Sequence, residues 1–368
     1  MNEKTQPCTH CGAVHPRVNL TWMGSAELCP ECLQRYTVCC DCCGERIWMA
    51  NDYGTHYLHL CASCRADNYV TCENCGALIP QEDAHYNDED EAYCDSCYER
   101  GYGGTIHNYS YKPEPIFYGD GPLYLGVELE VDEAGKDNIN AVQALRAFNQ
   151  ENVYGYVKSD GSLNDGFELV THPCTLETHL QQVPWRETLE ALRGMGYRSH
   201  APGTCGLHVH VSRKALGKDV YEQEETIAKL LYIFERFWQE ILRFSRRTES
   251  QINHWAARYG YKDRGEEILK EAKHGANGRY ACINLTNTDT IEFRVFRGTL
   301  KYNTVIATLR FVANLCRVAI SLPEYRIQEF SWPALIEALT QDNCPELVQY
   351  LKERNLYVNE PVTAEREV

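Results

Sequence analysis

Cysteine spacing constrains this chain more than any other feature. Cys8, Cys40 and Cys72 each open a Cys-x2-Cys-Gly segment, 32 residues apart, and the three segments end at Gly12, Gly44 and Gly76. A fixed period of this size marks a tandem array of small units. A second pair follows each segment, at Cys29/Cys32, Cys61/Cys64 and Cys94/Cys97, after 17, 17 and 18 intervening residues. Two Cys-x2-Cys pairs so separated match four-thiolate zinc sites. The tight turn lets two sulfurs converge on one ion, and the glycine after it takes a backbone conformation that a Cβ resists. Four thiolates leave no open coordination position, so the three Zn²⁺ sites are expected to be structural and to supply much of the folding free energy of such small units. The expected ligand sets are Cys8, Cys11, Cys29 and Cys32; Cys40, Cys43, Cys61 and Cys64; and Cys72, Cys75, Cys94 and Cys97. The middle repeat reads CCDCC, which opens a second register through Cys39 and Cys42. Cys40/Cys43 is preferred because Gly44 then falls where Gly12 and Gly76 do. His10, His56, His59 and His85 are read as surface or packing residues.

Fourteen of the nineteen cysteines lie between Cys8 and Cys97. The opening MNEKTQPC has no basic segment followed by an apolar one, so a reducing, cytoplasmic setting is expected, where paired thiols serve metals more often than disulfides. The most apolar stretch, Val305 to Leu322, is interrupted by Arg310 and Arg317. That reads as an amphipathic soluble helix, with no membrane span expected. Net charge is −16, and the first hundred residues carry six Lys and Arg against sixteen Asp and Glu. Each Zn²⁺ held by four thiolates adds two more negative charges. Such a module repels phosphate backbones, so a protein or peptide partner is expected and nucleic acid is not.

Three segments are expected: the zinc repeats over 1–100, a Gly/Tyr/Pro-rich linker over 101–121, and a second domain over 122–368 with a helical C-terminal part and a loose tail from Asn359. In the second domain YLGVELEV, FELVTHP, GLHVHVS, ACINL and TIEFRVF read as strands. Ile139–Gln150, Trp185–Met195, Glu224–Arg243, Tyr302–Ser321 and Trp332–Leu339 read as helices. Glu224–Arg243 carries its apolar residues at core-facing spacing. The pattern suggests an α+β fold whose antiparallel sheet has helices on one face and is open to solvent or ligand on the other.

Side chains alternate along a strand, so Glu128 and Glu130 share a face while Val127, Leu129 and Val131 point to the core. The same alternation aligns His208, His210 and Ser212 on the next motif, and Glu292 with Arg294 on the last. Glu168, after the turn Ser159–Ser162, adds a fourth acid. One charged residue on an open strand is usually only solvated. Together, carboxylates, imidazoles and arginine are what Mg²⁺-bridged phosphates require. No GxxxxGK[ST], HExxH or GxSxG is present, so P-loop, zincin and α/β-hydrolase chemistry lose their main sequence support.

These motifs resemble, in order, the Glu-x-Glu, Gly-x-His-x-His-x-Ser and Glu-x-Arg strands of the glutamine synthetase and glutamate–cysteine ligase superfamily, and within it the amidoligase family. The resemblance covers about residues 122–302. It implies a glutamine synthetase-like curved antiparallel sheet, with Glu130 and Glu168 on one Mg²⁺ and Glu128, His208 and Glu292 on the other. His210 and Ser212 would face ATP. Arg279, Arg294 and Arg297 would contact phosphates or a substrate carboxylate, with Asn284 and Asp160 as further candidates. The implied reaction joins a carboxylate to an amine through an acyl phosphate, on a protein, peptide or small-molecule substrate. A non-catalytic adaptor and a guanidino phosphotransferase are the competing functions. Cys205, beside the histidine strand, is read as a buried small residue before a nucleophile. Metal analysis of the purified chain is expected to return three zinc ions per molecule; none or one overturns the reading of the repeats.

Overall fold

The computed structural model describes residues 5–87, 90–100, 104–274 and 278–357, and the tail expected from Asn359 lies outside them. It divides into two compact units, Met1–Gly104 and Thr105–Val368.

In the first unit each knuckle sits at the turn of a short antiparallel hairpin: Thr5–Pro7 with Val14–Pro16, Thr37–Cys39 with Arg46–Trp48, and Tyr69–Thr71 with Leu78–Pro80. Gly12, Gly44 and Gly76 hold φ of 75°, 75° and 70°, the left-handed conformation that glycine accepts most readily. The second cysteine pair opens a short helix in each repeat, Pro30–Tyr36, Ala62–Asn68 and Asp95–Glu99. The first two helices run directly into the next hairpin, at Thr37 and Tyr69. In repeats one and three a second hairpin precedes the helix, Thr21–Met23 with Ala26–Leu28 and His85–Tyr86 with Ala92–Tyr93. The middle repeat substitutes a loop knotted on Asp52, whose carboxylate accepts from Gly54 N and Leu60 N at 3.0 Å and pairs with His59 Nδ1 at 2.6 Å.

The second unit is a mixed α/β body around one main sheet. Its strands are β1 (Ile106–His107), β2 (Tyr124–Val131), β3 (Gly155–Lys158), β4 (Phe167–Thr171), β5 (Cys174–Thr175), β6 (Gly206–Ser212), β7 (Ile283–Asn284) and β8 (Thr290–Arg297). They lie in the order β1-β3-β4-β2-β6-β8-β7, with β5 paired to the start of β2. All pairings are antiparallel except β1 with β3.

Valine-rich alternation explains the central strands. Val127, Leu129 and Val131, Leu207, Val209 and Val211, and Ile291 and Phe293 are fully buried in the main core, together with residues of the Val220–Arg236 and Tyr302–Ser321 helices. The Tyr302–Ser321 helix is long and apolar enough to cross a membrane, but 78% of its most apolar window is buried inside the fold, as expected of a core helix. Arg310 and Arg317 on it pair with Glu346 and Asp342.

Three expectations are corrected. The stretch 101–121 is not all linker: residues 101–103 lie outside the described residues, but β1 joins the sheet, and Tyr118 exchanges backbone hydrogen bonds with Pro173 and Thr175. Glu224–Arg243 is two helices, Val220–Arg236 and Trp238–Ser245, because Phe237 leaves helical geometry at φ −105°, ψ 35°. The polar face of the sheet is only partly open to solvent: Glu130, Glu168, His208 and Glu292 are buried, whereas Glu128, His210, Ser212 and Arg294 are half-buried. Phe293 is fully buried, 5.6 Å from the Phe234 ring, and fixes the strand that carries Glu292 and Arg294. Phe293→Ala is expected to cost about 3–5 kcal/mol, read as a lowered unfolding midpoint of the full chain.

Candidate functional site

The cysteine sets converge as the spacing predicts. Cys8, Cys11, Cys29 and Cys32, then Cys40, Cys43, Cys61 and Cys64, then Cys72, Cys75, Cys94 and Cys97, each bring four sulfurs within 4.8 Å of one another. One sulfur–sulfur edge is 3.8 Å in every site, Cys11–Cys29, Cys43–Cys61 and Cys75–Cys94. A tetrahedron with Zn–S of about 2.3 Å has an S···S edge of about 3.8 Å, whereas a disulfide needs about 2.0 Å. The sets therefore fit zinc. Backbone amides turn inward on the sulfurs, Cys29 N to Cys8 Sγ at 3.3 Å and Cys64 N to Cys61 Sγ at 3.4 Å. Amides of Cys61 and Cys43 lower the Cys40 thiol, while the crowding of neighbouring sulfurs raises Cys64 of the same set. Cys39 and Cys42 stay outside the middle set, with Cys42 accepting from Asn68 Nδ2 at 3.7 Å. The histidines are occupied elsewhere: His10 packs on Tyr36, His59 pairs with Asp52, and His85 pairs with Asp95.

In the second unit the register does the assembling. Glu128 stands opposite His208 across β2 and β6, Glu130 opposite Glu168 across β2 and β4, and His210 opposite Glu292 across β6 and β8. Lys158 and Asn284 extend these rows outward, opposite Glu168 and Glu292. His208 Nδ1 lies 3.3 Å from Glu128, 3.6 Å from Glu292 and 3.9 Å from Glu130; His210 Nε2 lies 3.1 Å from Glu128 and 3.9 Å from Glu292. Arg294 Nη1 donates to Glu292 Oε1, while Asn284 Nδ2 donates to Glu292 Oε2 at 2.8 Å. Lys158 Nζ is 3.2 Å from Glu168. Ser212 continues the same face of β6, opposite Thr290.

Electrostatics divides the four acids. Burial opposes ionisation of Glu128, yet the adjoining His210 and His208 hold its carboxyl well below the usual range. Glu292 is likewise lowered, against burial, by His210, His208 and Arg294. Burial, with Asp160 adding to it, raises Glu130. Burial and the Glu128 charge raise Glu168 well above a normal carboxyl, although Lys158 pulls the other way. Among the described residues, Glu168 Oε2, His210 Nε2 and Arg294 Nε are buried without an aligned hydrogen bond, the first two held by ion pairs with Lys158 and Glu128. Converging carboxylates whose charge the local cations only partly offset, with imidazole nitrogens beside them, are a donor set suited to a hard divalent ion. Glu128, His210 and Glu292 place ligand atoms within 4.8 Å of one another.

Of the three expected arginines, Arg294 is the one that bonds an acid of this cluster among the described residues. Arg279 is engaged by two tyrosines instead: it donates to Tyr109 Oη and, at 3.0 Å, to Tyr280 Oη. The Tyr109 ring also lies 5.7 Å from Lys158 Nζ. Lys158 is on β3 and Arg279 precedes β7, strands five steps apart, roughly 24 Å in a flat sheet. One tyrosine from the supposed linker thus contacts residues beside both β3 and β7. Arg297 joins the polar face through a bulge. Leu207 pairs with Phe296 but Val209 with Phe293, so β8 holds an extra residue and Arg297 falls opposite Gly206 on the side of Glu292 and Arg294. Asp160 is held in its own turn by Ser162 N at 2.7 Å. Burial raises the Cys205 thiol to about 12, as expected of a buried small residue.

Sequence reading missed Asp132, Lys158 and Gly206. Asp132 is two residues past Glu130, so the alternation of β2 already pointed to it; it anchors the turn after β3 by accepting from Asn164 N and Asp165 N. Gly206 N donates to Glu130 Oε2, and a Cβ at Gly206 would lie 2.3 Å from His208 Nε2.

A family model described as "Putative amidoligase enzyme" matches residues 146–316. That range includes Glu168, His208, His210, Glu292 and Arg294 and begins after Glu128 and Glu130. Among solved structures, a bifunctional glutathione synthetase from Pasteurella multocida aligns at 15% identity and TM-score 0.30, over 63% of this chain and 46% of that one. The complex between prokaryotic ubiquitin-like protein Pup and its ligase PafA aligns at 10% identity and TM-score 0.30, over 63% and 62%. The chain thus spans less than two thirds of either structure, at TM-scores below the level that shows a shared fold. No curated protein matches the sequence.

Because the folded carboxyl of Glu130 is raised, the folded state loses stability as pH climbs from the ordinary glutamate value, about 4.3, through the raised one. Glu130→Gln is therefore expected to raise the melting temperature of Mg²⁺-free protein at pH 7 to 8. The gain should vanish below about pH 4; an equal gain at every pH contradicts the assignment.

Proposed function

We propose that the second unit is an ATP-dependent carboxylate–amine ligase that forms an amide or isopeptide bond through an acyl phosphate. What carries the reading is the meeting of Glu128, His208, His210, Glu292 and Arg294 from three adjacent strands on one largely buried face. The family-model match over residues 146–316 adds to it.

Glu130 and Glu168 would hold one Mg²⁺, and Glu128, His208 and Glu292 a second. When bound, such ions offset the charge on a transferring phosphoryl group. The residues themselves do the remaining work. His210 and Ser212 face the nucleotide from β6, and Arg294, fixed by Glu292, presents its guanidinium where phosphoryl oxygens develop charge. Arg297 contacts the acid's own carboxylate. A carboxylate oxygen attacks the γ-phosphorus and ADP leaves. The amine nitrogen then attacks the acyl carbon, losing a proton, and phosphate leaves. Arg279, which donates to Tyr109 and Tyr280, is assigned the contact with phosphate or substrate carboxylate from the margin of the same face.

The zinc array is assigned recognition of a protein or peptide partner. Supporting this are its negative balance and its exposed apolar groups, Val18, Trp22 and Tyr57, which are 83%, 61% and 91% exposed. Nucleic acid is no partner of so acidic a module.

Zinc-loaded full-length protein is expected to convert Mg-ATP to ADP only with a suitable acid and amine, and mass spectrometry should find the amide. Glu292→Gln is expected to lower turnover by about 100-fold or more. A phosphorylated guanidino product would instead mark a kinase, and absence of nucleotide turnover an adaptor.

A further inference from the structure

A cavity of about 750 Å³ opens beside the start of β6 and the end of β8, lined by Arg193, Arg198, Arg246, Arg297, Lys301 and Arg354. Its volume is that of a small-molecule site. Its charge is unusual for a chain of net charge −16. The lining includes one acid, Glu353, which faces Lys301 at 3.9 Å. Among the described residues none of the five guanidiniums is paired with a carboxylate. They lean on neutral groups instead. Arg198 donates to Gly196 O and Tyr197 O at 3.2 and 2.9 Å, and Arg354 donates to Arg243 O at 3.1 and 3.0 Å. Arg246 reaches His200 Nδ1 at 3.1 Å and also donates to Arg297 O. Arg297 Nε is buried with no partner at all.

Clustered guanidiniums repel one another, and a fold tolerates them around a cavity where an anion completes the charge. Burial, then the charges of Arg297, Arg246 and Arg354, lowers the His200 imidazole, consistent with uncompensated positive charge there. A lone carboxylate would satisfy one or two of these groups. Several anionic groups, each taken by a forked guanidinium, match the whole lining.

Location ties the cavity to the acid cluster. Ser199 lines it and donates from Oγ to Glu130 O at 2.7 Å, and Arg297 shares a sheet face with Glu292 and Arg294.

We propose that this cavity binds a small polyanion bearing at least two carboxylate or phosphate groups, and that this molecule is the acid partner in the ligation. The second clause rests on the ligase reading above; the first stands without it.

Calorimetric titration of full-length, zinc-loaded protein with tricarballylate and with pyrophosphate, against acetate, tests the site. Either polyanion is expected to bind at least tenfold more tightly than acetate, and the tighter of the two identifies the anionic group. Combined Arg193→Gln and Arg198→Gln should weaken that binding at least tenfold. Lys301→Glu reverses a mostly exposed charge, leaves the core untouched and should weaken it as well. Glu128→Gln should leave it intact. The proposal is overturned if neither polyanion binds, or if both sets of cavity variants bind as well as the parent. It is also overturned if Mg²⁺ with a non-hydrolysable ATP analogue displaces tricarballylate, which would make the cavity part of the nucleotide site. Polyanion binding without ligase turnover supports the site and counts against the ligase reading alone; turnover without polyanion binding does the reverse.

Discussion

Four glutamates held on one largely buried sheet face are the constraint that the second unit is organised around. Like charges in a poorly solvated space cannot all ionise unless cations stand between them, and removing one partner of such a set leaves the others uncompensated. Here the imidazoles of His208 and His210 stand between Glu128 and Glu292, Arg294 is bonded to Glu292, and Lys158 flanks Glu168. Glu130 and Glu168 keep raised carboxyls even so. The apolar side of the sheet, with Val127, Leu129, Val209 and Phe293 fully buried, holds the strands in the register that makes this arrangement possible. Slippage by one residue on any of them would send its charges into the core.

Much of this was legible because β2, β6 and the part of β8 before its bulge alternate strictly. Two-residue periodicity assigns the faces of Glu128, Glu130, His208, His210, Glu292 and Arg294 from the sequence alone. The Tyr302–Ser321 and Trp332–Leu339 helices match the expected bounds as well. What escaped has physical reasons. Lys158 sits on a strand of four residues, too short for periodicity to show. Strict alternation puts Arg297 on the opposite face from Arg294, and only the extra residue of the bulge returns it. Tyr109 and Arg279 meet across 170 residues of sequence through side chains alone, a contact that no local pattern encodes. Phe237 is apolar and on the helical spacing, so nothing in composition marks the break there.

In the first unit, period and turn chemistry sufficed. The glycine after each knuckle selects the middle register over its CCDCC alternative, because only one choice places Gly44 at the left-handed position shared by Gly12 and Gly76. The Asp52 loop of the middle repeat was invisible to the cysteine pattern, since a single aspartate there replaces a whole hairpin.

The junctions between repeats carry a consequence for how such an array can vary. Tyr36 ends a helix and Thr37 begins the next strand, and Asn68 and Tyr69 repeat the arrangement, with Arg65 clasping Tyr69 O and Thr71 Oγ1 across the joint. No spare residue exists to absorb an insertion. Adding one would shift the following hairpin by a residue, invert which of its side chains face inward, and misalign the knuckle with its helix. Length change is therefore confined to the segment between the two cysteine pairs of a repeat, where the third already carries one residue more than its neighbours.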